Sequence, residues 1–415
     1  MRASCGVALW KSVALEDRPW REEKEPMKEI KGIYNVAKVF TDNVEETAAS
    51  QIYELMDQEF VKGSRVRIMP DCHAGAGCTI GTTMTITDKV VPNLVGVDLG
   101  CGVFVGEIDK KKIDMERLDD VIRDHVPSGT SVHKTGENVP ILRGLRCSRA
   151  VDMERAKRSV GTLGGGNHFI EVSKDEEENY YLLIHTGSRQ LGKSIATFYQ
   201  DLAAKELLRD IEVARVRELN RKGTSRDSAS LNLESRKFNK NLAYLEGQNL
   251  EDYLNDVRIA QAYASLNRQR IAEIIAEHMG WRYKEVFQTV HNYIDVERNI
   301  LRKGAVSAQK GEKLVIPINM RDGSFICIGK GNEDWNYSAP HGAGRVMSRT
   351  KAKAVLSMKD FESSMKGIYT TSVNRNTLDE APFAYKPFQE IMENIQDTVD
   401  IVKRLKPVYN FKAAD

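Results

Sequence analysis

Glycine is gathered into clusters along this chain, and their placement limits what it can fold into. Dense groups fall at 75–106, 161–166, 187–192, 304–331 and 342–344, with long glycine-poor stretches between them. Glycine is the default residue where backbone turns tightly or approaches a ligand, and it weakens the interior of helices and strands. The clusters therefore predict shaped loops rather than continuous elements. Residues 192–222 and 246–278 carry apolar positions such as Ile195, Phe198, Leu202 and Leu207 at helical spacing. Tyr180–Ile184, Val286–Val290, Leu314–Ile316 and Phe325–Ile328 are short β-type runs, each beside a glycine loop. Phe388 to Leu405 reads as a C-terminal helix opening after Pro387 and ended by Pro407. Ser348-Arg-Thr-Lys reads as a helix start. The expectation is an α+β protein with strands feeding glycine-rich loops and helices packed outside. No repeat, low-complexity tract or linker divides residues 27–415, which are expected to form one large catalytic domain. Residues 1–26, charged and holding two prolines between Glu16 and Pro26, read as an exposed N-terminal extension.

The charges nearly cancel, 61 Lys+Arg against 59 Asp+Glu for a net +2, which disfavours a protein that coats duplex nucleic acid while allowing a local basic groove. No run of about 18 uncharged apolar residues is present, so a membrane span is not expected. Six cysteines, at 5, 72, 78, 101, 147 and 327, follow no disulfide framework, and a reducing cytoplasm is the expected compartment. The basic stretch 205–240, with Arg215, Arg217, Arg221, Lys222, Arg226, Arg236, Lys237 and Lys240, reads first as a solvated helix pair.

The chemistry concentrates in histidines. Of the eight, His168, His185, His291 and His341 each sit at a strand end or in a glycine loop, where functional side chains are displayed. Asp98 and Cys101 lie three apart across Gly100 and can face one ion. Cys101 can equally be a small buried apolar residue. Together these residues offer a mixed carboxylate, thiolate and imidazole set for one or two transition metals. Softness alone ranks zinc first, with manganese or iron behind. The common nucleotide motifs are absent, yet Gly161–Asn167 and His341–Gly344 present closely spaced backbone N–H groups for anionic oxygens. Arg189, Arg302, Lys303, Lys330 and Arg345 add cations beside the same loops. His341 stands between Pro340 and Gly342-Ala-Gly344, where an imidazole could attack phosphorus. A fourth metal histidine is the competing reading.

Taken in order, Asp98-Leu-Gly-Cys101-Gly, Gly164-Gly-Gly-Asn167-His168-Phe-Ile-Glu171, His185-Thr-Gly-Ser-Arg189, His291-Asn292-Tyr, Arg302-Lys-Gly-Ala305 and His341-Gly-Ala-Gly-Arg-Val-Met-Ser-Arg349 resemble the RtcB family of RNA ligases over about residues 27 to 415. The resemblance implies joining of RNA 3′-phosphate or 2′,3′-cyclic phosphate ends to 5′-hydroxyl ends, using GTP and two Mn²⁺ ions, in tRNA splicing or RNA repair. It implies that Asp98, Cys101 and His168 hold one ion, and that Cys101, His185 and His291 hold the second. His341 would be the nucleophile that takes GMP from GTP. Nucleotide contacts would map to Asn167, His168, Phe169, Ile170, Glu171, His291, Asn292, Pro317, Ile318, Asn319, Met320, Ser324, His341, Gly342, Ala343, Gly344 and Lys412. Arg189 would hold the RNA phosphate, because a guanidinium fork suits bidentate contact. A monomer is expected, with room for an activating partner.

Ala76 stands where well-known members carry lysine, Pro317-Ile-Asn-Met320 replaces their Pro-Gly-Ser-Met, and Val290 replaces a second histidine found in some. These departures indicate a paralogous branch. The competing functions are an enzyme that guanylylates 3′-phosphate ends but seals weakly, a metal-dependent phosphoesterase, and a non-catalytic GTP-binding module.

Overall fold

A computed structural model describes residues 28–222 and 239–413. The N-terminal extension lies outside the described residues. So do Arg226, Arg236, Lys237 and the side chains of Arg215, Arg221 and Lys222, while Arg217 and Lys240 are exposed.

Helices and two large sheets make an α+β fold. The six-stranded sheet runs in the order Lys28–Lys31, Val36–Val39, Val66–His73, Ile80–Thr85, Ile300–Lys303 and Asn292–Asp295. The seven-stranded sheet is antiparallel throughout, in the order Lys313–Asn319, Gly323–Gly329, Val399–Lys412, Phe169–Lys174, Tyr180–Thr186, Gly102–Ile108 and Tyr283–Val290. Its two edges approach each other, the Val315 amide donating to Thr289 Oγ1 at 3.2 Å. The sheet thus curls around Val103, Val105, Phe169, Leu183, Val315, Ile326 and Leu405. All four β-type runs expected from sequence lie in this sheet.

Both long helices form, as Arg189–Lys222 and Gly247–Met279. The second buries Tyr253, Val257, Ala260, Ala264, Ile271 and Ile275, a stripe at helical spacing. It ends at Gly280, whose φ of 64° suits a left-handed cap. Ser348 caps the short helix Arg349–Val355, as its sequence predicts.

The C-terminal helix is shorter than expected. It spans only Phe388–Asn394, and Val399–Lys412 instead forms a strand in the middle of the seven-stranded sheet. Pro407 does not end a helix. It sits at the register shift between Pro407 and Tyr409, where a missing N–H is tolerated. Tertiary pairing to both neighbours decided this segment over its helical pattern.

Register explains where the functional loops meet. Gly102 pairs with Thr186 on one side and Val290 on the other, and Phe169 pairs with His185. Cys101, His168, His185 and His291 therefore gather at one end of the curled sheet. The C-terminal strand arrives at the same end, with Lys412 opposite Phe169 and Asn410 opposite Glu171.

Candidate active site

Five ligand-type side chains meet at this sheet end. Cys101 Sγ lies 3.3 Å from His185 Nε2 and 3.6 Å from His168 Nε2. His185 Nε2 is 3.3 Å from His291 Nε2, and His168 Nε2 is 3.0 Å from Asp98 Oδ2. Two overlapping triads result, Asp98–Cys101–His168 and Cys101–His185–His291, each with ligand atoms within 4.8 Å of one another. Backbone carbonyls orient two of the rings. His168 Nδ1 donates to Leu163 O at 2.9 Å and His185 Nδ1 donates to Asn167 O at 3.1 Å, so both turn Nε2 toward the cluster. Burial, reinforced by neighbouring imidazoles, pushes His185 and His291 well below the usual histidine range, and both sit as neutral donors. Burial and the nearby Asp98 push the Cys101 thiol well up. Burial alone would raise Asp98, but the hydrogen bond and charge of His168 hold it below the usual value. Neutral imidazoles, one thiol and one carboxylate form a donor set that fits divalent transition ions.

Glycine makes the Asp98 placement possible. Its carboxylate packs against Gly187, where any Cβ would overlap Oδ1. The Ser188 amide then donates to the same oxygen at 3.2 Å.

His341 stands beside this cluster, its ring centroid 4.8 Å from that of His291. Asp71 Oδ2 accepts from His341 Nδ1 at 2.6 Å and from the His341 amide at 3.2 Å. A carboxylate only accepts, so in the neutral ring the proton lies on Nδ1 and Nε2 carries the lone pair. Asp71 is fully buried.

A cavity of about 360 Å³ opens over both His341 and the cluster. Asn167, Phe169, Glu171, His291, Asn292, Pro317 through Met320, Ser324, His341 through Gly344 and Lys412 line it, as do Asp98, Cys101 and His185. Two nucleotide candidates do not. Ile170 points into the apolar core with Ile184 and Leu182, and His168 faces a second cavity. Ser324 Oγ and Asn410 Oδ1 are buried in the first cavity's wall with no hydrogen-bond partner, a mismatch that a polar ligand edge would relieve.

Among the basic candidates, Arg345 and Lys303 line this cavity. Arg302 is instead buried against Ser338 Oγ and Tyr293 OH, each at 2.8 Å. Lys330 pairs with Asp400 and Gln396 O, away from both cavities. Arg189 lines the second cavity, about 310 Å³, which shares Val97, Asp98 and Asn167 with the first. Its guanidinium covers Gly164 and donates to Gly129 O at 3.2 Å.

Sequence reasoning missed several residues at the site. Asp71 lies 270 positions from its partner His341, and no spacing links them. Glu380 is buried on the cavity wall, pairs with Lys412 and accepts from Tyr385 OH at 2.7 Å. Burial would raise its carboxyl, but Lys412 and Arg349 prevail and hold it down to about 2. Arg349, 2.7 Å from Glu380, was legible as part of a helix start and as the end of the His341–Arg349 string, with no role assigned to it.

Known proteins match the sequence over most of the chain. The family model described as tRNA-splicing ligase RtcB matches residues 51–144 and 141–413. The RNA-splicing ligase RtcB of Escherichia coli K12 is 31% identical over 407 residues, covering 88% of this chain and 94% of that protein. The tRNA-splicing ligase RtcB of Aeropyrum pernix is 28% identical, covering 82% and 86%, and that of Archaeoglobus fulgidus is 25% identical, covering 95% and 97%. No described helix is long and apolar enough to cross a membrane. Motif order, site geometry and these matches agree: the chain belongs to the RtcB family.

Proposed function

We propose that this protein is a GTP- and Mn²⁺-dependent RNA ligase that joins 3′-phosphate or 2′,3′-cyclic phosphate ends to 5′-hydroxyl ends, with residues 27–415 working as one catalytic domain. The observation that carries the reading is the free Nε2 of His341, oriented by Asp71 beside two metal-type triads and a cavity of nucleotide size.

Asp98, Cys101 and His168 would hold one ion, and Cys101, His185 and His291 the other. Bound ions supply charge neutralisation and Lewis acidity at phosphoryl oxygens. His341 Nε2 attacks the α-phosphorus of GTP, an N–P bond forms, and the bond to the β-phosphate oxygen breaks to release pyrophosphate. Asp71 retains the Nδ1 proton and balances the positive imidazole of the phosphoramidate. Arg345, Arg349 and Lys303 lie on the same wall and favour the triphosphate's charge. An oxygen of the RNA 3′-phosphate then attacks the guanylyl phosphorus and frees His341. The 5′-hydroxyl attacks the activated 3′-phosphorus, GMP leaves, and the hydroxyl proton passes to solvent. A cyclic end is first hydrolysed to the 3′-phosphate. Arg189, in the adjoining cavity, is the residue to hold the RNA phosphate.

Incubation with α-labelled GTP and Mn²⁺ tests the reading on a denaturing gel. Acid-labile label is expected on wild type and none on His341→Ala. Absence of label from wild type would sink it, and phosphate release without GTP would point to a phosphoesterase. Joining of a 3′-phosphate RNA to a 5′-hydroxyl RNA separates sealing from mere end-guanylylation.

Glu171 supplies a carboxylate suited to guanine N1–H and its amino group. Burial, against hydrogen bonds from Ser173 and Asn410 and the charge of Lys412, pushes its carboxyl up to about 7. With the folded-state value above the ordinary 4.5, its stabilising share is complete below pH 4.5 and lost as pH rises through 7. The full difference is on the order of 3 kcal/mol. Glu171→Gln keeps the size without the charge. It is expected to raise Tm at pH 8 but not at pH 4, while weakening discrimination of GTP from ATP. Equal Tm gains at both pH values would contradict this account.

A further inference from the structure

The long helix Gly247–Met279 breaks its apolar stripe at Asp256 and at two adjacent positions, Asn267 and Arg268, and all three residues are fully buried. Buried polar groups on a core-facing stripe are costly unless their hydrogen bonds are satisfied. Asn267 uses its amide completely. Its Oδ1 accepts from the Gly161 amide at 2.8 Å and the Thr162 amide at 3.0 Å, and its Nδ2 donates to Thr162 O and Gly187 O, each at 3.1 Å. Arg268 Nη1 donates to Gly100 O at 2.8 Å and Thr186 O at 2.9 Å, and its Nε donates to Gln288 Oε1 at 2.8 Å. It has no carboxylate in ion-pairing range among the described residues.

Each carbonyl held in this way neighbours a ligand. Gly100 lies between Asp98 and Cys101, and Thr186 follows His185. Gly187 is the residue against which the Asp98 carboxylate packs. Thr162 precedes Leu163, whose carbonyl orients His168. One turn of one helix therefore ties together three loops that are far apart in sequence.

We propose that Asn267 and Arg268 are positioning residues of the metal centre, Asn267 setting the Asp98–Cys101–His168 triad and Arg268 setting the Cys101–His185 junction shared by both triads. The proposal rests on the metal-dependent reading above. The division of labour follows from the contacts, since Asn267 holds Thr162 and Gly187, which position His168 and Asp98, whereas Arg268 holds the residues next to Cys101 and His185. Loss of such supporting contacts commonly lowers metal affinity about 10- to 100-fold.

The test is Mn²⁺ titration of the metal-free full-length protein, followed by loss of the free-ion EPR signal, with Co²⁺ absorption reporting thiolate coordination. Asn267→Asp keeps shape and loses donated hydrogen bonds. It is expected to bind one ion with near wild-type affinity and the other at least about 10-fold more weakly. Arg268→Lys should weaken both ions and shift the Co²⁺–thiolate band. Should these variants unfold by circular dichroism, Gln288→Leu, at a half-buried strand position, releases the Arg268 Nε contact together with a 3.4 Å hydrogen bond to Ser265 O, and should still shift that band. Folded variants with wild-type stoichiometry, affinity and spectrum would overturn the proposal. Failure of the wild type to bind either ion would instead overturn the metal-dependent reading itself.

Discussion

Cys101→Ala is expected to lose both ions and all detectable guanylylation, a fall of at least about 10⁴-fold in a step that depends on metal charge neutralisation. Its sulfur is the one atom common to both triads, 3.3 Å from His185 Nε2 and 3.6 Å from His168 Nε2. The remaining groups then form an Asp–His pair and a His–His pair, each too few to hold an ion firmly. Metal content after dialysis, measured by mass spectrometry, checks the first half, and gel labelling with GTP checks the second. Cys147 and Cys327 are also buried but join neither triad. Cys327→Ala serves as the control and should keep both ions. Retention of two ions by Cys101→Ala would show that the sulfur packs rather than ligates.

Asp71→Asn should be nearly as damaging by a different route. The carboxylate fixes the proton on His341 Nδ1 through a 2.6 Å hydrogen bond. An amide can turn its NH₂ toward Nδ1 instead, which moves the imidazole proton to Nε2 and removes the attacking lone pair. In the comparable substitution of a triad aspartate the rate falls on the order of 10⁴-fold through the wrong tautomer. Guanylylation of Asp71→Asn should fall by roughly 10³- to 10⁴-fold, with metal content and GTP binding close to wild type. Rapid-quench labelling and equilibrium binding separate the two effects. A loss of GTP affinity with an unchanged labelling rate at saturation would assign Asp71 to the nucleotide rather than to His341.

The legible part of this site was whatever sits next to a strand end. His185 and His291 end recognisable β-runs and His168 follows a glycine loop, and antiparallel register brings such ends together once the strands are neighbours. Motif strings then named Cys101, His341 and the glycine loops. Asp71 was not legible as a partner because its contact joins the strand Val66–His73 to a loop 270 positions on, which no local pattern encodes. Lys330 and Arg302 show the converse, since a cation beside a glycine loop in sequence can face away from the cavity in space. The segment 399–412 misled because its apolar residues also fit a helical pattern, and only pairing with both neighbours makes it a strand. Asn267 and Arg268 were hidden inside a helix whose apolar spacing was otherwise correct.

That C-terminal strand also sets a timetable for synthesis. Phe169–Lys174 and Gly323–Gly329 both pair with Val399–Lys412, so neither can be closed until the ribosome has passed residue 412. At cellular elongation rates the strand ending at Lys174 waits roughly 10 to 45 seconds for its partner, with one row of backbone donors and acceptors unpaired. The nascent chain is then most vulnerable to cross-pairing with its neighbours on a polysome. Slowed translation or a stalled message should therefore cost this protein more soluble yield than it costs proteins whose central strands pair with near neighbours in sequence.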